Sequence, residues 1–494
     1  MKPLGTITMC FAHVDDDTIT MLKSVMEDAE NYADFTRRLC SRVCAEPTSA
    51  LIEYLAFYFP FHIDDYNLTD KLEKEGKVPD LAKPLLMISK YRRGEVIYWD
   101  EMKQELAKAI KAAPNDWFAT HLYMKWRIYA ELLFPESDTD VKLIQRITKR
   151  VNENRDLEFY KSYLLRFKAI RAMFDHQHED VVDLLNQALP IVIDHDEQIV
   201  VAHLLSVLAG HIKDTDVKEA LGLLNASREL SEQLGYRYNI GRIQEKLAYI
   251  KGQRGELNAA IEHLLEYNEI RESLGLSLIT LNGLFAFYYN QIGDGENALK
   301  RVDAAIGASK TLRRLSSFAL AQRAWALTIL GRFDEARGDL AASQELATKS
   351  GVAWYWFLWH QLVEGIIDKA GGRLDSASTA FMDVLTYVAE NPVPTFQAIC
   401  LLNLTEIEID RTPLVQNTDE SGPWMRKLDE YVEMNDVPGF AAQALILKAK
   451  LFHKQGKHDE SRRMLKEVRK IAKARSMKYL NNLVILMFPD IKVI

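Results

Sequence analysis

Turn-forming and cross-linking residues are scarce in this sequence. Of 494 residues, 4 are cysteine, 14 proline and 23 glycine. So little Gly and Pro leaves an all-β design short of turns, and it excludes collagen and low-complexity disorder. Cys40 and Cys44 stand one helical turn apart, while Cys10 and Cys400 are remote. They form neither a disulfide framework nor a CxxC zinc pair and read as small buried hydrophobes. Long apolar runs are missing too: residues 483–488 are typical of the longest, against the roughly 18 that a membrane helix needs. Neither sign of charge dominates, with 62 Lys and Arg against 70 Asp and Glu. Met1 to Val14 holds a single Lys and runs into Asp15, Asp16 and Asp17. It lacks the basic start, apolar core and cleavage site of a secretory signal, which points to the cytoplasm. Length alone suggests about three domains of roughly 150 residues, a prior that yields wherever a chain is built of stacked repeats.

What the sequence does have is a period. A glycine is followed five positions later by Ala or Ser at Gly255 and Ala260, Gly293 and Ala298, Gly331 and Ala336, Gly372 and Ala377, and Gly456 and Ser461. The glycines are 38, 38, 41 and 84 residues apart, the last being twice 42, so a unit of about 40 residues recurs. Each turn separates two amphipathic stretches, predicting helix A and helix B joined where Gly relieves backbone strain. Seven residues before each turn Gly the residue is small: Ala248, Ala286, Ala324, Gly365 and Ala449. Nine after it the residue is large and apolar: Leu264, Val302, Leu340, Phe381 and Leu465. Small and large positions are expected to interlock where helix A crosses helix B.

These positions resemble the tetratricopeptide repeat family in their relative spacing. The resemblance implies an all-α, right-handed superhelical α-solenoid of stacked helical hairpins. Units of 38 to 42 residues exceed the family's 34, and the proline that usually closes helix B is missing. Instead several B helices run to a terminating Gly, at Gly235, Gly275 and Gly351. Elongated units of this kind look like those in the solenoid sensor regions of bacterial transcriptional activators and peptide-responsive regulators.

Working outward, residues 159–189 and 199–235 read as two degenerate units. Residues 79–114 and 117–152 read as two weaker hairpins, the first turning at residues 91–95. A polar segment from Asp410 to Trp424 is expected to be a loop. Leu51 to Phe61 is apolar and aromatic apart from Glu53 and Pro60, suggesting a buried helix in a terminal cap, which stacked hairpins require. The expected organisation is a helical cap over 1–78, degenerate hairpins over 79–156, a repeat array over 157–482 and a tail over 483–494.

Catalytic signatures are absent. Residues 307–311 end like a phosphate-binding loop, but Ala304 and Ser309 stand where its glycines belong. His176 and His178 beside Glu179 and Asp180 lack a third metal ligand at fixed spacing. Asp15 to Asp17 and Asp64–Asp65 lack the Gly and final Glu of a calcium loop. No catalytic residue, metal or cofactor is therefore expected, and binding is expected in place of turnover.

The A helices of a stacked array line a concave surface suited to an extended or helical partner segment. Six residues before the turn Gly, Tyr249, Phe287 and Trp325 form a candidate aromatic ladder. Arg242, Lys246, Asn290, Gln291 and Gln322 nearby offer hydrogen bonds to a partner's backbone or acidic groups. The block Trp354, Tyr355, Trp356, Phe357, Trp359 and His360 is too crowded for one helix face, and Trp359 joins the candidate groove. Packing between long helices is the competing role for all these aromatics. Residues 448–478 carry 12 Lys and Arg against 3 Asp and Glu, a local charge of +9. Lys454, Arg462, Arg463, Lys466, Arg469, Lys470 and Lys473 form a basic patch that could face a nucleic acid, although solvated basic helices are common. The sequence thus reads first as a non-enzymatic scaffold or adaptor for a protein or peptide segment. A peptide- or ligand-responsive regulatory sensor and a nucleic-acid binder are the alternatives.

Overall fold

The computed structural model describes residues 13–93, 95, 99–113, 116–133, 141–153, 157–174, 178–308, 313–349, 353–390, 393–411 and 422–488. The described residues are α-helical apart from a 3-10 turn at Asp80–Ala82 and the connections. None of their helices is long and apolar enough to cross a membrane. The chain splits into two compact units: Met1–Lys246 with Glu269–Ser277, and Leu247–Asn268 with Leu278–Ile494. The split passes through the array expected over 157–482.

The first unit begins with α1 (Asp16–Glu27), α2 (Tyr32–Ala45), α3 (Ala50–His62) and α4 (Tyr66–Lys74). Asp15, Asn31, Ser49 and Asp65 cap them, each side chain accepting a backbone N–H of the first turn. The apolar stretch expected as a cap helix is α3, where Tyr54, Phe57, Tyr58, Phe59 and Phe61 are all buried. The two expected hairpins span α5 (Lys83–Arg93), packed on α6 (Trp99–Ala112), and then α7 (Asp116–Leu133) and α8 (Val141–Glu153), both of which pack on the next helix along the chain. Gly94, the expected turn of the first, lies outside the described residues. The degenerate units are α9 (Tyr160–Phe174) with α10 (His178–Asp194) and α11 (Gln198–Ile212) with α12 (Val217–Leu234). Gly235 ends α12 in the left-handed conformation at φ 69°.

Helices α13 (Arg237–Gln253) and α14 (Leu257–Ser273) are divided between the units. The second unit continues through α15 (Ile279–Gln291), α16 (Gly295–Ala308), α17 (Arg313–Ile329), α18 (Phe333–Lys349), α19 (Ala353–Ala370) and α20 (Leu374–Glu390). It ends with α21 (Pro394–Arg411), α22 (Pro423–Met434), α23 (Pro438–Lys454), α24 (His458–Ala474) and α25 (Lys478–Met487). Odd-numbered α15 to α23 are the A helices, and each packs on its own B helix and on the next A helix. The segment expected as a loop contains the end of α21 and the start of α22; residues 412–421 lie outside the described residues.

All five turn glycines are left-handed, with φ between 70° and 80°. At each turn two backbone N–H groups return to helix A: that of Gly331 to Thr328 and that of Arg332 to Leu327 at 3.1 and 2.8 Å, for example. This is a helix C-terminus whose orphan carbonyls are satisfied by a left-handed residue, the conformation glycine adopts without steric cost. The small residue five positions on is buried in every case.

The small and large positions meet as spacing requires. A Cβ on Gly365 would stand 2.7 Å from the Phe381 ring, so α19 and α20 cross where one residue has no side chain. Gly365→Ala is expected to destabilise the protein by about 1 to 3 kcal/mol, the usual cost of overfilling a packed core. Adding Phe381→Leu should recover part of that loss, measured by urea denaturation. Additive losses would place the strain elsewhere.

Candidate functional site

A cleft of about 220 Å³ opens in the second unit, and its lining comes from the A helices and α25 alone. Gln291 of α15, Trp325 of α17 and Ile366 of α19 contribute one residue each. Helix α21 contributes Ile399, Leu402, Asn403 and Glu406, and α23 contributes Phe440, Gln443, Ile446 and Leu447. Leu483 and Met487 of α25 complete it. Among the described residues no B helix reaches this wall.

Most of the lining is apolar, and its polar groups differ in how far they are committed. Gln443 Nε2 donates to the Tyr479 hydroxyl at 3.2 Å. Lys369 Nζ donates to Asn403 Oδ1 at 2.8 Å and also bonds Glu406. Lys450 reaches Glu406 from the other side at 3.0 Å. The Gln291 amide is different: its Nε2 and Oε1 are both shielded from solvent and make no hydrogen bond among the described residues.

Burial alone would raise the Glu406 pKa, but the ammonium groups of Lys369 and Lys450 outweigh it and hold it at about 2. A carboxyl depressed below its ordinary 4.5 stabilises the fold fully above that value and loses its contribution as pH falls towards 2. Glu406→Gln should therefore cost roughly 2 to 3 kcal/mol at pH 6, much less at pH 3. Urea midpoints across that range would check it; a gap independent of pH would contradict it.

The nine candidate groove residues fall into distinct places. Gln291 and Trp325 line the cleft. Phe287, Trp325 and Trp359 are buried and packed on one another, with ring centroids 6.1 Å apart for Phe287 and Trp325 and 5.0 Å for Phe287 and Trp359. Trp359 also meets Phe318 at 5.0 Å and Phe396 at 4.7 Å. The ladder is thus largely internal packing, and only the Trp325 edge borders the cleft. Tyr249 is half-buried beside the same core. Asn290 donates to the Gln322 backbone carbonyl at 2.9 Å, and Gln322 is fully enclosed. Arg242 and Lys246 belong to the first unit, where they line a second cavity of about 440 Å³. His360 is buried against Ser343 Oγ at 2.9 Å. The side chains of residues 354–357 lie outside those described.

The basic end is less free than its charge suggests. Lys454 donates to the carbonyls of Ile409 and Asp410 at 2.7 and 3.0 Å, capping the end of α21. Arg462, Arg463 and Lys470 face solvent on α24 and pair three residues away with Asp459, Glu460 and Glu467. Lys466 and Lys473 are exposed and Arg469 is half-exposed. Among the described residues no group of three His, Cys, Asp or Glu is arranged to hold a metal ion. Cys40 and Cys400 are buried and reduced, and burial raises both thiol pKa values.

The chain carries a tetratricopeptide-like repeat fold, defined by its own left-handed turns and interlocking small and large positions. No family model matches it, and no curated protein matches it. Similar solved structures include a Rap protein complexed with competence and sporulation factor, with 12% identity over 81% of this chain and 98% of that chain and a TM-score of 0.37. The apo form of RapI is 13% identical over 80% and 98%, with a TM-score of 0.35. A tetratricopeptide repeat protein from Parabacteroides merdae is 14% identical over 66% and 99%, with a TM-score of 0.28.

Proposed function

We propose that this chain is a binding protein that captures a peptide segment in the A-helix cleft of its second unit, acting by association and not by turnover. The observation that carries the reading is Gln291. A buried amide with neither donor nor acceptor used is costly to maintain. A peptide bond presents the complementary pair, one N–H and one carbonyl. The apolar walls supplied by Trp325, Ile366, Leu402 and Leu447 would hold one or two apolar side chains of the segment, leaving the polar groups to fix its register.

Panning a random peptide library against the full chain is the direct test. The expected selection is for segments with paired apolar residues, and Gln291→Leu should weaken the selected peptide about tenfold, the size of one lost buried hydrogen bond. The same substitution removes an unsatisfied polar group, so stability should hold or rise. Full affinity in Gln291→Leu would remove this reading.

A further inference from the structure

The cavity of the first unit has a chemistry that peptide capture does not use. Its lining is of two chemical kinds. One is apolar: Ile170 and Met173 of α9, Val181 and Leu185 of α10, and Val200 and Leu204 of α11. The other is cationic: Arg92 of α5, Lys125 of α7, Arg166 of α9, and Arg242 and Lys246 of α13. Against these five cations the wall presents one carboxylate, Asp64. Two acids stand close by, Glu197, fully enclosed, and Glu245, which pairs with Arg242 at 2.5 Å. Counting both still leaves an excess of two positive charges when both lysines are protonated.

Several details mark the site as built. Lys246 is 7% exposed, and Glu245 is the acid that acts on its ammonium. Its stem passes over Gly210, where a Cβ would stand 2.8 Å from Lys246 Cε. A glycine inside a helix costs about 1 kcal/mol relative to alanine, and here it makes room for this lysine. Lys125 is 5% exposed and lies over the Tyr58 and Tyr163 rings at 5.5 and 5.9 Å. Asp64 holds a left-handed backbone, φ 55°, rare for a residue with a side chain, and accepts hydrogen bonds from Tyr66 and Tyr236 at 2.6 and 3.2 Å. Burial, reinforced by Arg166 for Lys125 and by Arg242 for Lys246, pushes both lysines down to about 7. Glu197 and Asp64 act on Lys125, and Glu245 on Lys246, in the opposite sense, while Lys213 adds to the repulsion on Lys246. Burial also lowers His62 and His203, so these imidazoles are neutral bystanders at pH 7.

We propose that this cavity binds a small organic anion with an apolar body, its phosphate or carboxylate head among the five cations and its body against the α9, α10 and α11 wall. Such a ligand supplies the missing negative charge and covers the apolar lining at once. A volume of about 440 Å³ is on the scale of small-molecule sites. A free inorganic ion would leave the apolar lining uncovered, and a neutral lipid would leave the excess positive charge unbalanced.

Calorimetry on the full chain, with octyl phosphate, octanoate, 1-octanol and inorganic phosphate below micelle-forming concentrations, tests the proposal. One or both amphiphilic anions should bind once per chain, and which binds tighter identifies the head group. Octanol and inorganic phosphate should be at least tenfold weaker. Lys246→Met and Gly210→Val, the second displacing Lys246, should each weaken the anion tenfold or more, whereas Gln291→Leu should change nothing. Because burial lowers both lysines, an anion that restores their charge should take up protons on binding above pH 7, read from heats in buffers of different ionisation enthalpy. Equal binding of octanol, unchanged affinity in both variants, or no binding of either anion would overturn the proposal, and none of these results bears on the peptide cleft.

Discussion

Gly439→Ala is expected to destabilise the second unit by about 3 kcal/mol, the upper range for overfilling a packed contact, although the new residue adds only a methyl group to a helix. The cause is a backbone crossing. Gly439, in the first turn of α23, donates its N–H to the Arg254 carbonyl at 2.9 Å, and a Cβ there would overlap the Gly255 carbonyl. On the other side, a Cβ on Gly255 would stand 2.7 Å from the Phe440 nitrogen. Neither neighbour is a flexible side chain that can swing away. The turn is further tied by the Tyr479 hydroxyl, which donates to Gly255 at 2.7 Å, and by Arg254, which pairs with Glu256 and Asp436 at 2.6 and 2.5 Å. Two controls separate crowding from conformation. Gly331, at φ 74° with open space around it, should cost only about 1 to 2 kcal/mol as alanine, the left-handed penalty. Gly222, inside α12 with nothing within 4 Å, should gain stability by about 0.5 to 1 kcal/mol as alanine. Urea denaturation of the three variants gives the order; a Gly439→Ala loss no larger than that of Gly331→Ala would refute the crossing.

Lys246→Met should make the ligand-free protein more stable, by about 1 to 4 kcal/mol at pH 6, because a buried cation is replaced by a side chain of similar length. The sign with pH follows from the depressed value. With the folded lysine at about 7 and the ordinary value at 10.5, the unfolded chain binds more protons between those limits. Stability therefore rises with pH across that window, and the penalty is complete below pH 7. The gain from Lys246→Met should be largest at pH 6 and nearly gone at pH 10, as read from denaturant midpoints. A destabilised variant would mean that the lysine contributes packing which methionine cannot replace. Stability gained while anion affinity falls is the usual trade at a binding site.

How much of this was legible from residues alone depended on whether the feature repeats. Gly255, Gly293, Gly331, Gly372 and Gly456 each demand a left-handed turn, so their spacing announced the hairpins. The pairing of Gly365 with Phe381 followed from the same register. Spacing puts Tyr249, Phe287 and Trp325 on equivalent faces, but period alone does not say whether a face meets solvent or the next helix. Units longer than the standard repeat leave a wider gap, and Phe287 and Trp359 fill it. Gln291 was singled out for position, while its unpaired amide emerged only from burial. The basic cavity left no periodic trace. Lys125 and Arg166 lie in segments without a turn glycine, Arg92 lies in a hairpin outside the register of the five turns, and all three meet Arg242 and Lys246 through folding of the first unit. Local charge density points instead to α24, where the cations are spread over a solvated face and Arg462, Arg463 and Lys470 pair within their own helix.

The claim that the A helices of the second unit form the recognition wall is tested most directly by hydrogen exchange on the full chain, with and without a peptide selected by panning. Added protection should fall on α15, α21 and α23 around Gln291, Asn403 and Gln443, leaving α16, α18 and α20 unchanged. Protection concentrated on those B helices, or none in the second unit while the peptide stays bound, would contradict the account.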